Sequence, residues 1–213
     1  ILAAAGAKGM PLVVEISVAF SVLVAMIVIG VFLFRIRERF DSVLEDLEAT
    51  DGWITARVNR PVMILGNLDG VETGVRNLIR RRPLEIEVIE TAHGPIRIPT
   101  LPEMLRIKGW LALMRNATRD YLDVVALADR IGPAASDVLL TIDDYYADQR
   151  GADGGRVALQ LARQMAEPKP FDLSAVDLQH YRNLAPRWHD WPVVADHCRA
   201  LAVAMFDRLA EEG

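Results

Sequence analysis

Two aspartates and three basic residues are concentrated where two predicted helices meet. Lys108 and Arg115 are seven positions apart and therefore share one face of the first helix. Arg119, Asp120 and Asp123 lie at the start of the second helix, where Asp120 and Asp123 are surface neighbours. Such a set predicts a cationic site for a triphosphate, in which the aspartates orient Lys108 and Arg119. Ordinary stabilisation of a helix N-terminus by acidic residues is an open alternative.

Three glutamates are further candidates. Glu85 and Glu87 alternate along a predicted strand, residues 84–88, and fall on one face of it. Exposed acidic residues on a strand are the simpler interpretation of this pattern. Glu15 is the one ionisable residue within a long apolar run, and an intramembrane carboxylate is a functional candidate by default.

The apolar run, residues 11–34, predicts a transmembrane helix. As a helix it would be about 36 Å long, which exceeds the roughly 30 Å of a bilayer core. Arg35, Arg37 and Arg39 follow directly, so the positive-inside rule places the rest of the chain in the cytoplasm. The expected location is therefore the inner membrane, with a cytoplasmic soluble domain.

Composition supports one membrane element and one soluble domain, with the boundary expected between residues 1–48 and 49–213. The chain has 213 residues, a net charge of -5 and one cysteine, Cys198. A single cysteine excludes a disulfide framework, and the mild acidity makes nucleic acid an unexpected partner. Because the sequence starts at Ile1, a fragment or a processed product is expected.

Local patterns predict a small β region followed by helices. Residues 62–65 read as a strand, 71–81 as a helix, and 84–88 with 96–98 as a hairpin. Thr100 and Glu103 form a capping-box pattern at the start of the first long helix. That helix is expected to end at Asn116, and Thr118 is expected to cap the next one, which ends at Gly132. Further helices are expected over residues 134–148, 155–166 and 192–211.

The predicted fold class is thus mainly α, with a small β-hairpin or partial sheet, preceded by one transmembrane helix.

Residues 1–48 resemble the last transmembrane helix and tail of hydrogenase-4 component E, which is related to the K-type subunit of respiratory complex I. The resemblance rests on the Pro-Leu-x-x-Glu entry at residues 11–15 and the tail at residues 34–42. It implies a proton-linked role for Glu15 and a hydrogenase membrane subunit as partner. That family has several more helices upstream, and a single helix cannot form a proton path.

Residues 51–213 resemble the C-terminal half of a nucleotidyltransferase-like family related to AbiEii-type toxins of toxin–antitoxin systems. The shared pattern is a strand, Pro-Thr-x-x-Glu, a lysine, and Arg-Asp-x-x-Asp. The resemblance implies an α+β remnant of the nucleotidyltransferase fold. It also implies that Lys108, Arg119, Asp120 and Asp123 line a site for Mg²⁺ and a nucleoside triphosphate, and that Glu85 or Glu87 is the third carboxylate.

The family's Gly-Ser turn and Asp-x-Asp pair do not occur in this sequence. The functional expectation is therefore a membrane-tethered, catalytically incomplete nucleotidyltransferase-like domain, whose missing half another chain would supply. Two alternatives are a fragment of the hydrogenase subunit and a chimera of two unrelated genes.

Overall fold

The computed structural model describes residues 35–77, 80, 82–146, 155–181 and 184–211. The chain divides into two compact units, Ile1–Ile79 and Arg80–Gly213. The domain boundary expected after residue 48 stays a prediction.

The first unit combines a helix with a three-stranded antiparallel sheet. Its described part is helical over residues 35–48 (α1). The strands follow in chain order, as β1 (Trp53–Asn59), β2 (Met63–Leu68) and β3 (Val71–Arg76), with β2 in the centre. Ile64 of β2 is fully buried. Strand β1 was not predicted from the sequence.

The helix predicted over residues 71–81 is wrong, because β3 occupies its first half. Leu68 pairs with Val71, so only Asp69 and Gly70 connect the two strands. Both have positive φ, 49° and 86°, as a type I′ turn requires, and this turn matches the twist of antiparallel strands. The Asp69-Gly70 turn therefore reverses the chain, so that the next residues pair with β2. They form a strand despite the helical spacing of Val71 and Val75.

The second unit opens with the predicted hairpin, whose first strand begins later and whose second strand begins earlier than expected. Strand β4 is Ile86–Thr91 and strand β5 is Gly94–Pro99. Thr91 pairs with Gly94 across the turn, and Ile86 pairs with Pro99 at the open end. Two strands alone are marginally stable in water, so contacts to the helices that follow are needed to hold the hairpin.

Helix α2 (Leu101–Arg115) begins and ends as the sequence predicts. The Thr100 side chain accepts a hydrogen bond from the Glu103 N–H at 3.3 Å, and Asn116 ends the helix in the left-handed conformation. In a complete capping box the Glu103 side chain would accept a hydrogen bond from the Thr100 N–H. Here that N–H donates to the Glu85 carbonyl instead. The Glu103 carboxylate is thereby left for another partner.

Helix α3 (Thr118–Ile131) is capped from a distance. Ala117, not the predicted Thr118, is the N-cap residue, and it makes no side-chain cap. Instead, the Asp172 carboxylate accepts hydrogen bonds from the Thr118 N–H and hydroxyl, both 2.7 Å. Burial raises the pKa of Asp172, but these two hydrogen bonds outweigh it, and the net pKa is lowered. Gly132 ends α3 as predicted.

The remaining helices are α4 (Ala135–Leu140), α5 (Ile142–Tyr146), α6 (Val157–Ala166) and α7 (Trp191–Glu211). The single helix predicted over residues 134–148 is therefore two short helices that break at Thr141. Their apolar faces meet α2 and α3 in one core. Its largest fully buried side chains include those of Tyr121, Leu139, Leu161, Met165, Trp188 and Met205. Burial also raises the pKa of the Cys198 thiol to about 12.

The predicted fold class is wrong as stated. Within the part of the chain that the structure describes, no helix is long and apolar enough to cross a membrane. The run for which that helix was predicted, residues 11–34, lies outside the described residues, as does Glu15.

Candidate functional site

A cleft in the second unit lies between α2, α3 and residues 180–181 and 184–188, with a volume of about 680 Å³. We call it the cationic cleft. Its charged lining residues are Lys108, Arg119, Asp123, Asp129, Arg130 and Arg187. Apolar side chains, including Leu122, Leu127 and Trp188, form much of the remaining wall. Four permanent cations therefore face two carboxylates across a mainly apolar surface.

Three of the predicted nucleotide-binding residues line this cleft. The Lys108 Nζ lies 2.6 Å from the Asp123 Oδ2, and the two side chains remain 30% and 31% exposed. The predicted proximity of Lys108, Arg119 and Asp123 is thus observed, but Lys108 and Asp123 neutralise each other. An ion pair that is this exposed is weak, so a ligand can replace either partner.

Arg115 and Asp120 are not among the lining residues. Asp120 is 3% exposed, and this burial raises the pKa of its carboxyl, which the charges of Arg115 and Lys108 offset only in part. Asp120 is therefore buried at the start of α3 and does not face a ligand in the cleft.

The other cations of the cleft differ in their partners. Arg187 forms an ion pair with Asp129. Arg119 and Arg130 are exposed and form no salt bridge with any residue that the structure describes. Burial raises the pKa of Tyr181, which lines the same cleft, so its hydroxyl stays protonated and can donate a hydrogen bond. This arrangement suits an anion.

No group of three His, Cys, Asp or Glu side chains among the described residues is placed to hold a metal ion. The four cations and the apolar walls of the cleft favour the binding of an anionic ligand.

Glu85 and Glu87, the candidate third carboxylates, lie elsewhere. Glu85 belongs to a group that we call the arginine cluster, formed by Arg80, Arg106, Glu85, Glu103 and Tyr145. Arg106 forms ion pairs with both glutamates, and its Nη2 lies 3.1 Å from the Glu103 Oε2. Arg80 pairs with Glu103, and both of these side chains are almost fully buried. Glu87 is exposed on the hairpin.

Tyr145 is the centre of the arginine cluster. The guanidinium carbon of Arg106 lies 4.2 Å from the centroid of its ring, and that of Arg80 lies 5.0 Å away. The Tyr145 hydroxyl donates to Glu85. This hydrogen bond, followed by that from Arg106, lowers the pKa of Glu85 against the effect of burial.

Sequence reasoning missed the arginine cluster, because its members lie on α2, on α5 and in the segment before the hairpin, far apart in the chain. The one local signal was Glu103, which is three positions before Arg106 on α2. Glu85 ties the start of the hairpin to the helices, which is a structural role.

No family model matches this chain, and no solved structure matches it. Three curated proteins are similar over about three fifths of the chain. The mycolic acid-containing lipids exporter MmpL11 of Mycolicibacterium smegmatis is 35% identical over 130 residues, which is 60% of the chain. The heme uptake protein MmpL11 of Mycobacterium tuberculosis is 36% identical over 131 residues, also 60% of the chain. The probable transport protein MmpL11 of Mycobacterium leprae is 33% identical over 133 residues, or 62%.

The chain spans about 13% of the length of each of these relatives. These relatives are named as an exporter, a heme uptake protein and a transport protein, and the similarity to them corrects the earlier expectations. Membership of the nucleotidyltransferase and toxin–antitoxin group, the link to hydrogenase-4 component E, and the functions drawn from them are wrong. Similarity to transport proteins supports association with a membrane, which is the coarser part of the predicted location.

Proposed function

We propose that this chain is part of a membrane transport protein related to MmpL11. The observation that carries the proposal is the identity of 35–36% over some 130 residues to proteins named as a lipid exporter and as a heme uptake protein. By extension, the transported molecule is proposed to be largely apolar.

The proposed side of the membrane is the cytoplasmic one. Arg35, Arg37 and Arg39 are exposed on α1. Basic clusters of this kind are attracted to anionic lipid headgroups, which are enriched in the cytoplasmic leaflet. The membrane is the partner that this proposal requires.

The proposed role of the second unit is to bind an anionic ligand in the cationic cleft. Arg119 and Arg130 supply charge that no described carboxylate neutralises. Lys108 is held by Asp123 in an exposed pair, which an incoming anion can open. The apolar walls lower the local dielectric and strengthen the attraction between these cations and an anion.

A magnesium–nucleoside triphosphate stays one predicted ligand of the cleft. Mg²⁺ usually binds through phosphate oxygens and one or two carboxylates, and Asp123 is one of two carboxylates that line the cleft. Lys108 and Arg119 would contact the phosphates. Arg115 and Asp120 would act from outside the cleft, through their charges.

The transport proposal is tested at the native locus. A tagged chain is expected to sediment with membranes, and disruption of the gene is expected to lower the surface-to-intracellular ratio of extractable lipid. Plasmid-borne wild-type gene should restore that ratio. A tagged chain found only in the soluble fraction, with an unchanged lipid distribution, would contradict the proposal.

The cleft is tested separately by calorimetric titration of the purified full chain with pyrophosphate and with Mg-ATP. Arg119→Ala and Arg130→Ala are expected to weaken binding about tenfold each, since hydrogen bonds to charged groups contribute about 1.5–3 kcal/mol. Arg163→Ala is the matched control, because Arg163 is exposed on α6 and does not line the cleft. Equal affinities in all variants would exclude the cleft as the binding site.

A further inference from the structure

We propose that the cationic cleft and an adjacent apolar groove together bind an amphipathic anion, with its headgroup in the cleft and its alkyl chain in the groove. The inference rests on the proposed anion site and specifies the chemical class of its ligand. Carboxylate and phosphate headgroups share the required chemistry.

The apolar groove lies between α3, α4 and α7 and has a volume of about 290 Å³. Its apolar lining includes Val125, Ala128, Ala135, Ala200, Leu201 and Ala204. The α7 residues among them recur at spacings of one, three and four positions, so they form one face of that helix. Because most of these side chains are alanines, the helices meet without filling the space between them.

The groove and the cleft adjoin at Asp129, which lines both. Residues of α3 that line the groove alternate with residues that line the cleft, so the two cavities occupy adjacent faces of one helix. Trp188 gives a second connection. It lines the cleft, and its ring meets the edge of His197, which lines the groove, at a centroid distance of 4.7 Å.

The charges that line the two cavities indicate where the headgroup and the alkyl chain of the ligand bind. The cleft carries Arg119 and Arg130 without carboxylate partners among the described residues. Among the described residues that line the groove there is no lysine or arginine, and the one carboxylate, Asp129, is paired with Arg187. An anionic headgroup is therefore attracted to the cleft rather than to the groove. An alkyl chain loses no hydrogen bonds in the groove and is shielded there from water.

The Arg187–Asp129 pair lies where headgroup and chain would join. A bound headgroup can take the place of Asp129 as the partner of Arg187, because that pair is largely exposed and thus weak. Substitution Asp129→Asn is expected to raise headgroup affinity severalfold, since it removes the competing carboxylate.

The test is a chain-length series of n-alkyl phosphates and n-alkyl carboxylates, from two to twelve carbons, titrated into the full chain below their micelle concentrations. Full burial of one methylene corresponds to about a fourfold gain in affinity. We expect a gain of about two- to fourfold per methylene that levels off once the groove is filled. Both headgroup series should show it; a slope in one series alone still supports the inference and identifies the headgroup.

Ala200→Phe is expected to abolish most of this chain-length dependence while leaving pyrophosphate binding unchanged. Ala200 is exposed within the groove, so the larger side chain fills the groove without entering the core. Val203→Phe is the matched control, because Val203 is 59% exposed on α7 and does not line the groove. Thermal unfolding of both variants verifies that they fold.

Two results would overturn the inference and leave the anion site intact. One is an affinity that depends on Arg119 but not on chain length. The other is a chain-length dependence that Ala200→Phe does not reduce, which would locate the chain elsewhere. Absence of binding by pyrophosphate and by every member of both series would overturn the anion site itself.

Discussion

The cationic cleft and the arginine cluster are built from the same kinds of residues and differ in their access to water. In the cleft, Lys108 and Asp123 are each about one third exposed. In the cluster, the side chains of Arg80, Glu103 and Arg106 are 1%, 0% and 6% exposed. Water can replace either partner of the exposed pair, whereas a buried charge that loses its partner has none. The first arrangement is suited to exchange with a ligand, and the second fixes structure.

The largest effect is expected from Glu103→Ala, which leaves two buried guanidinium groups with less compensation. Removal of one partner from a buried ion pair costs about 3–5 kcal/mol of the free energy of unfolding, and urea denaturation measures it. Glu87→Ala is the control, since this exposed strand glutamate should change stability by less than about 0.5 kcal/mol. Similar losses in both variants would remove the distinction between the two regions.

Tyr145→Phe isolates one hydrogen bond of the arginine cluster. It removes the hydroxyl that donates to Glu85 and keeps the ring beneath the guanidinium groups. A loss of about 1–2 kcal/mol is expected. The pKa of Glu85, which this hydrogen bond lowers, should rise toward its ordinary value of 4.5 in the variant. An unchanged NMR titration of Glu85 would show that the hydroxyl does not hold the carboxylate.

Lys108→Met should change stability by less than about 1 kcal/mol, because exposed ion pairs contribute little. The same substitution should weaken pyrophosphate binding severalfold. Glu103→Ala should show the reverse, with a larger effect on stability than on pyrophosphate binding. The two variants together therefore distinguish the cleft from the arginine cluster. A large loss of stability in Lys108→Met would show that the Lys108–Asp123 pair has a structural role, like the ion pairs of the arginine cluster.

The pH dependence of stability should separate two aspartates at the start of α3. Asp172 has a lowered pKa, so its contribution is present above its ordinary value of 3.8 and is lost as pH falls through the lowered folded value. Asp120 has a raised pKa, so the folded protein loses stability as pH rises from 3.8 through the raised value. In Asp172→Asn, the free energy of unfolding should therefore fall less steeply as the pH is lowered. In Asp120→Asn, its decrease as the pH rises above 3.8 should disappear. Identical profiles would contradict both assignments.

Much of the local structure was predictable. The start and end of α2, the end of α3 and the position of the hairpin follow from signals within a few residues, such as Thr100, Asn116 and Gly132. The helical spacing over residues 71–81 gave a wrong prediction, because the two-residue turn before Val71 imposes a strand there.

The candidate site was predicted in part. Lys108, Arg119 and Asp123 do line one cleft. Arg115 lies outside it and Asp120 is buried, because residues three or four apart share a face only approximately and packing decides which of them meets solvent. The family resemblances attached to these short motifs were wrong, since so few residues of common types recur in unrelated proteins.

The sequence by itself determined where α2 begins and ends and where α3 ends, since these caps depend on backbone angles within a few residues. The tertiary structure alone decided that Asp172 caps α3 from 54 residues away. It also decided that Glu103 turns to Arg80 and Arg106, and that a groove adjoins the cleft at Asp129. These outcomes depend on which charges lose water when distant segments pack, and that loss is not encoded in any single stretch of sequence.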